Sequence, residues 1–180
     1  MASRISEFYL REVISVGDLS EQFLENLVAN LSDSHHMRFS RHSGKNHNHQ
    51  TSRDFIEQLI LQGGSYFQIL NISGLDVLGT LTLRPHSILE CEAGILIFKS
   101  AAGQGLGSAV WMELPKMAKM AGYGRLLAGC HRDNLAMRTL MENLGMSEFS
   151  PESSQSKSNL WKINMYFELD LSDVSKVDIK

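Results

Sequence analysis

Six residues, GQGLGS at Gly103–Ser108, decide how this chain is read. They lie between an apolar run, AGILIF (Ala93–Phe98), and a helical pattern in which Val110, Trp111, Leu114, Met117 and Met120 recur at intervals of three and four. Glycines at 103, 105 and 107 allow a sharp turn and let main-chain N–H groups converge at a helix N-terminus, where the partial positive charge favours an anion. A dinucleotide fingerprint needs G-x-G-x-x-G early in a βαβ unit, with an acid on the next strand. Here the spacing is G-x-G-x-G, and three strand-like segments precede it. A phosphate-binding P-loop needs G-K-S/T, and no lysine follows Gly107. A bare turn of this kind also fits a strand-to-helix connection that holds nothing, so its surroundings decide.

Upstream, EFYLREVIS (Glu7–Ser15) is rich in β-formers and predicts a first strand. Asp18 is placed to cap a helix carrying Leu19, Phe23, Leu24, Leu27, Val28 and Leu31. Thr51 or Ser52 is placed to cap a second, with Phe55, Ile56, Leu59 and Ile60 on one face and QGG (Gln62–Gly64) ending it. SYFQILN, VLGTLTLR and ECEAGILIF then predict an antiparallel meander. Downstream of the turn, Pro115 is expected to kink or divide the helix. RLLAGCH (Arg125–His131) predicts a strand, and DNLAMRTLMENLG a helix from an Asp133 or Asn134 cap to a Gly145 stop. MSEFSPE and NLWKINMYFELDL are two further β segments joined by the serine-rich 153–158.

At 180 residues the chain fits one domain, expected over 1–171, with 172–180 a frayed tail. A net charge of −3 gives no footprint for binding a phosphate backbone, so no nucleic-acid partner is expected. Cys91 and Cys130 are too few and too far apart for a disulfide framework or a CxxC zinc site, which suits a reducing compartment. Charges at Arg4, Glu7, Arg11 and Glu12 interrupt any apolar leader, and no apolar run approaches the ~18 residues of a membrane span. The expectation is a cytoplasmic protein with no membrane partner, a monomer or homodimer.

The ordered pair of segments around the turn resembles the GNAT superfamily of acetyl-CoA-dependent N-acetyltransferases. The family's first motif is a strand, then R/Q-x-x-G-x-G/A, then a helix, and AGILIFKSAAGQGLGSAVW is similar to it. Its second is a strand, an asparagine and a helix closing on G-F/Y, and LLAGCHRDNLAMRTLMENLGM is similar to that. The likeness runs over about residues 8–170. It implies an α/β (more narrowly α+β) fold: a mixed, mostly antiparallel sheet of about seven strands, about four flanking helices, and a splayed strand pair holding CoA. It implies that main-chain groups of Ile95, Leu96 and Ile97 pair with the pantetheine arm, that N–H groups of Gln104, Gly105, Leu106, Gly107 and Ser108 cradle the pyrophosphate, and that Asn134 reaches the pantetheine or leaving-thiol region. Two positions depart from the pattern. Ala102 stands where Arg or Gln is usual, which removes a side-chain contact and leaves the main-chain cradle. Met141 stands where many members have a tyrosine that protonates the thiolate, and methionine has no proton to give. An asparagine followed by a helix without that tyrosine is typical of the branch that acetylates ribosomal-protein N-termini and of its sugar-modifying relatives.

Acetyl transfer from a thioester to an amine needs a neutral amine, a proton acceptor and an N–H donor for the oxyanion. A main-chain N–H near Ile95 is placed to be that donor. Glu90 and Glu92 share one face of the strand approaching the thioester, with Glu92 nearer the motif. His131 stands at the expected mouth of the cleft. Cys130 has no activating neighbour, so direct transfer in a ternary complex is favoured over a cysteine relay.

One segment remains, DSHHMRFSRHSGKNHNHQTS (Asp33–Ser52), with five of the seven histidines. A zinc site needs set spacing and no cysteine lies close, so no metal is expected. In the GNAT fold this segment borders the acceptor, and its basic residues, Arg38, Arg41 and His49 first among them, suit a polar or anionic one. The favoured acceptor is an amino sugar or nucleotide-linked amino sugar. The alternatives are a protein N-terminus, which wants an open, often acidic groove, and a catalytically silent CoA-binding module, which Ala102 and Met141 favour.

Overall fold

The computed structural model of the chain describes residues 5, 7–40, 42–149 and 165–172. Its strands are β1 (Tyr9–Glu12), β2 (Ser65–Leu70), β3 (Val77–Pro85), β4 (Glu90–Ile97), β5 (Arg125–Cys130), β6 (Ser147–Phe149) and β7 (Met165–Asp170). They form one sheet in the order β1-β2-β3-β4-β5-β7-β6, antiparallel throughout except for the parallel pair β4–β5. Four helices flank it: α1 (Glu21–Ser32), α2 (His49–Leu61), α3 (Leu106–Met120) and α4 (Leu135–Asn143). This is the mixed, mostly antiparallel architecture expected from the two motifs.

Alternation along the strands sorts the two faces. One face sends Cys91, Ala93, Leu126, Ala128 and Phe167 into a core with α3 and α4, including Val110, Trp111, Leu114 and Met141. A second core joins Tyr66 and Phe98 to α1 and α2 through Phe23, Leu24, Leu27, Ile56 and Leu59. Among the described residues no helix is long and apolar enough to cross a membrane.

Several local expectations change. Asp18 does not cap α1; it closes a capping box with Ser15 around a short 3-10 turn (Val16–Asp18), and Ser20 caps α1 by accepting from the Phe23 N–H at 3.2 Å. Neither Thr51 nor Ser52 caps α2. Asn48 does, with Thr51 reciprocating from the third helical position, so α2 begins at His49. In a run so dense in Asn, Thr and Ser several caps compete, and the core packing of Ile56 and Leu59 fixes the register. β1 is shorter than its β-rich stretch, although Val13 still donates to the Tyr66 carbonyl at 2.8 Å.

Pro115 does not divide α3, which runs unbroken with the proline buried. The lost hydrogen bond and ring clash cost about 3 kcal/mol. Burying Leu106, Val110, Trp111 and Leu114 on the same helix contributes about 1.5–3 kcal/mol each, which outweighs it. The first part of the NLWKINMYFELDL segment, the end of MSEFSPE, the serine-rich 153–158 and the tail from 173 lie outside the described residues.

Candidate active site

β4 and β5 share only three registered pairs, Glu90–Arg125, Cys91–Leu126 and Glu92–Leu127, although both strands continue beyond them. Each is held by its other neighbour: β4 by seven pairs with β3, β5 by six with β7. Past Glu92 they therefore part. The Phe98 N–H donates to the Leu78 carbonyl and the His86 N–H to the Glu90 carbonyl, both at 2.8 Å. These bonds put the even-numbered residues of β4 in hydrogen-bonded pairs with β3, so the peptide groups of Ile95 and Ile97 point the other way, into the gap. Leu96 sits opposite Thr80 with its peptide groups turned to β3. The expectation that Ile95, Leu96 and Ile97 all offer main chain to a ligand thus narrows to Ile95 and Ile97. The Ile97 carbonyl already accepts from His36 Nε2 at 2.8 Å.

The glycine turn follows. Gly103 and Gly105 have φ of 74° and 82°, a left-handed conformation that strains any L side chain. Gly105 is the N-cap of α3 and has no side chain to close it; the first intrahelical bond is Ala109 N–H to the Gly105 carbonyl at 3.1 Å. The N–H groups of Leu106, Gly107 and Ser108 consequently have no partner within the helix. Ser20, Asn48 and Asn134 cap the other three helices, so α3 differs from all of them. Gly107 is informative in another way. Its φ is not positive, and a Cβ there would meet Ile97 Cγ1 at an ordinary 3.6 Å. Neither strain nor packing demands glycine at 107, while close approach of a phosphate to the main chain would. Gln104 is tied locally, its Nε2 donating to the Ser100 carbonyl and its own carbonyl accepting from the Ile5 N–H, both at 2.8 Å.

The gap opens into a cavity of about 750 Å³ that runs from Ile95, Ile97, Gly129 and Asn134 to the loop between α1 and α2. The structure separates the two candidate carboxylates. Glu92 lines the cavity, with its side chain 13% exposed, and His86 Nε2 donates to its Oε2 at 3.0 Å. Glu90 does not line it. Arg125 holds Glu90 at 3.1 Å and Glu168 at 3.2 Å, an ion-paired cluster along the sheet. Asn134 lines the cavity, but its Oδ1 accepts the Met137 N–H at 3.3 Å, which leaves Nδ2 to meet a ligand. His131 stacks on Phe39 with ring centroids 5.6 Å apart, and its Nδ1 accepts the Asp133 N–H at 3.2 Å. Met141 is buried on the inner face of α4. Burial pushes the Cys130 thiol up and the Cys91 thiol to about 12, so neither is a thiolate near neutral pH.

The loop between α1 and α2 is latched at its start. Asp33 accepts from Lys99 Nζ at 2.8 Å and from the His36 N–H at 2.9 Å, and its carboxyl is held at about 2, chiefly by the Lys99 hydrogen bond. His36, Arg38, Lys45, His42 and His47 line the cavity. Arg38 packs over Phe39 at 4.8 Å, and the His42 ring meets Phe55 edge-on at 5.8 Å. His49 is elsewhere: its Nδ1 donates to Glu21 Oε2 at 3.1 Å, beside the Arg53–Glu21 pair, because position 49 is the first of α2 and faces α1. His42 and His47, unlike His49, line the cavity. Arg41 lies outside the described residues. Among the described residues no three His, Cys, Asp or Glu side chains converge on a metal position.

Two residues escaped the sequence reading. Ser52 is 4% exposed, lines the cavity, and its Oγ has no hydrogen-bond partner among the described residues. Its spacing from Phe55, Ile56 and Leu59 already placed a hydroxyl on the buried face of α2, and that signal was available. His86 sits in a short hairpin with no periodicity, and only the β3–β4 register brings it to Glu92.

The family profile described as acetyltransferase (GNAT) domain matches residues 10–147. The chain belongs to this family. Its fold is similar to spermidine N-acetyltransferase from Vibrio cholerae, solved with CoA and spermine, at 13% identity and a TM-score of 0.72 over 93% of this chain and 97% of that one. It is similar to a domain from Methanocaldococcus jannaschii at 18% identity and a TM-score of 0.69 over 92% and 99%. It is also similar to yncA from Salmonella typhimurium, solved with acetyl-CoA, at 16% identity and a TM-score of 0.63 over 92% and 95%. At such identities the likeness is one of fold. No curated protein matches the chain in sequence. This GNAT acetyltransferase is an acyltransferase whose cavity reaches Ala102, immediately before the glycine turn.

Proposed function

We propose that the protein moves the acetyl group of acetyl-CoA directly to a primary amine in a ternary complex, and that the acceptor is an amino sugar, in the first place a nucleotide-linked one. The observation that carries the reading is the parting of β4 and β5 beyond Glu92, which leaves the Ile95 peptide facing a gap that opens onto the Glu92 carboxylate. The residues present fit CoA. Leu106, Gly107 and Ser108 offer uncapped N–H groups and Gly107 leaves room for a phosphate, while the Ile95 peptide and the Ile97 N–H face an extended chain. Bound acetyl-CoA supplies an activated acetyl group. The Ile95 N–H then stabilises the carbonyl oxygen as it gains charge, and Glu92 accepts the amine proton. Met141, buried and without a proton to give, leaves thiolate protonation to solvent.

The lining supports an acceptor with an amine at one end and hydrogen-bond acceptors or negative charge at the other. Glu92 is the one carboxylate among the described cavity residues, while Arg38, Lys45, His36, His42 and His47 gather toward the loop and Ser52 presents an unpartnered hydroxyl. A polycation such as the spermine of the Vibrio structure would meet mostly like charge there. Isothermal titration with acetyl-CoA, followed by thiol release with UDP-linked amino sugars, glucosamine, spermine and N-terminal peptides, tests this. Turnover fastest with the sugar nucleotides is expected. Preference for peptides or spermine overturns the acceptor, binding without turnover indicates a silent module, and no binding refutes the whole reading.

A further inference from the structure

We propose that His86 is a positioning residue for the reaction's proton acceptor: its Nε2–H fixes the Glu92 carboxylate toward the cavity and favours the ionised form. The inference rests on Glu92 accepting the amine proton, as proposed above. His86 follows β3 directly, and its main-chain N–H bonds the Glu90 carbonyl at 2.8 Å, so its backbone is fixed by the same hairpin that presents Glu92. Its Nε2 lies 3.0 Å from Glu92 Oε2, and the two side chains are 21% and 13% exposed. Glu92 is the more shielded of the two, and a donor to a carboxylate stabilises the charged form. His86 itself does not line the cavity. It engages Glu92 Oε2 from the β3–β4 hairpin.

The other charged or titratable groups around Glu92 come from every side. Arg84, directly across on β3, carries its guanidinium 5.9 Å from the Phe55 ring centre. Glu90 and, on β7, Glu168 are held by Arg125. The Tyr166 hydroxyl on β7 is pushed up by burial and by the Glu92 charge. The α1–α2 loop brings His36, Arg38, Lys45, His42 and His47 to the same cavity, and α2 brings uncharged Ser52 and Phe55. His86 contacts the reacting carboxylate directly, at 3.0 Å. In the step it serves, an acceptor ammonium gives one proton to the Glu92 carboxylate, yielding a neutral amine and a carboxylic acid, with no further reactant. The acid then returns that proton to water.

The test uses the full chain carrying 13C at its glutamate carboxyls, with the Glu92 signal assigned by its loss in Glu92→Gln. His86→Leu is expected to raise the Glu92 titration midpoint by about one pH unit. His86→Gln, which keeps an N–H donor, is expected to restore most of it. With glucosamine and a UDP-linked amino sugar as amine probes, the acid limb of thiol release should move with the midpoint, while acetyl-CoA affinity and thermal midpoint stay at parent values. An unchanged Glu92 titration in His86→Leu overturns the proposal. A shifted titration combined with parent-like turnover in Glu92→Gln leaves the hydrogen bond real but removes Glu92 from the chemistry, and the positioning role with it.

Discussion

The two walls of the cleft are built from different material. The wall proposed for acetyl-CoA is main chain: the Ile95 peptide, the Ile97 N–H and the open N-terminus of α3 behind Gly103 and Gly105. The wall proposed for the acceptor is side chain, drawn from the α1–α2 loop, α2, β3 and β4, with Arg38, His42, His47, Ser52 and Glu92 converging from positions up to 54 residues apart. Main-chain binding depends on backbone shape, which tolerates change in most side chains. Side-chain binding depends on which groups a loop happens to aim inward, and it sets the acceptor.

The largest effect that sharpens this contrast belongs to Gly107. Gly107→Glu places a negative side chain at the cradle with an ordinary φ and an ordinary contact to Ile97. Acetyl-CoA affinity by calorimetry should fall at least about 100-fold, near 2.7 kcal/mol, with the thermal midpoint within a few degrees of the parent. Gly105→Glu should also lose binding but adds backbone strain of about 1–2 kcal/mol at φ 82°, so it is the less clean test.

On the acceptor wall the effects are smaller and fall on KM for the amine. Arg38→Ala should raise it by about 10-fold for an anionic acceptor and leave acetyl-CoA affinity alone. His49→Ala, whose ring is engaged with Glu21, should leave both unchanged. A large acceptor effect from His49 with none from Arg38 would show that the loop faces the other way. Ser52→Ala separates function from stability: it should raise acceptor KM several-fold while stability holds or rises by about 1 kcal/mol, because its buried Oγ has no partner to lose.

The smallest expected effect concerns the loop's latch. The Asp33 carboxyl is depressed from 3.8 to about 2 in the folded protein, so its contribution is complete above about pH 4 and is lost as pH falls toward 2. Backbone amide exchange at His35 and His36 should accelerate through that window. Asp33→Asn should remove the pH dependence there and leave α3 unaffected.

The same contrast explains what could be read from sequence. Glycine at 103 and 105 announces left-handed backbone and an uncapped helix, and apolar periodicity announces the strands and helices, so the donor wall and the sheet were legible. Alternation put Glu90 and Glu92 on one face but could not say which reaches the cavity; the parallel register with β5, which brings Arg125 to Glu90, decides that across 35 residues. The caps of α1 and α2 were misplaced because neighbouring Ser, Thr, Asn and Asp compete for one site. His49 was favoured over His42 and His47 for want of the helix register that Asn48 sets.

The splayed β4 edge and the open N-terminus of α3 together are proposed to hold acetyl-CoA. Amide NMR of the full chain titrated with acetyl-CoA measures this at each group. The largest shifts and new exchange protection should fall on the N–H groups of Ile95, Leu106, Gly107 and Ser108, with those of Leu96 and the capped start of α2 little changed. Shifts centred on α2 or on β1, with Leu106–Ser108 silent, would contradict it.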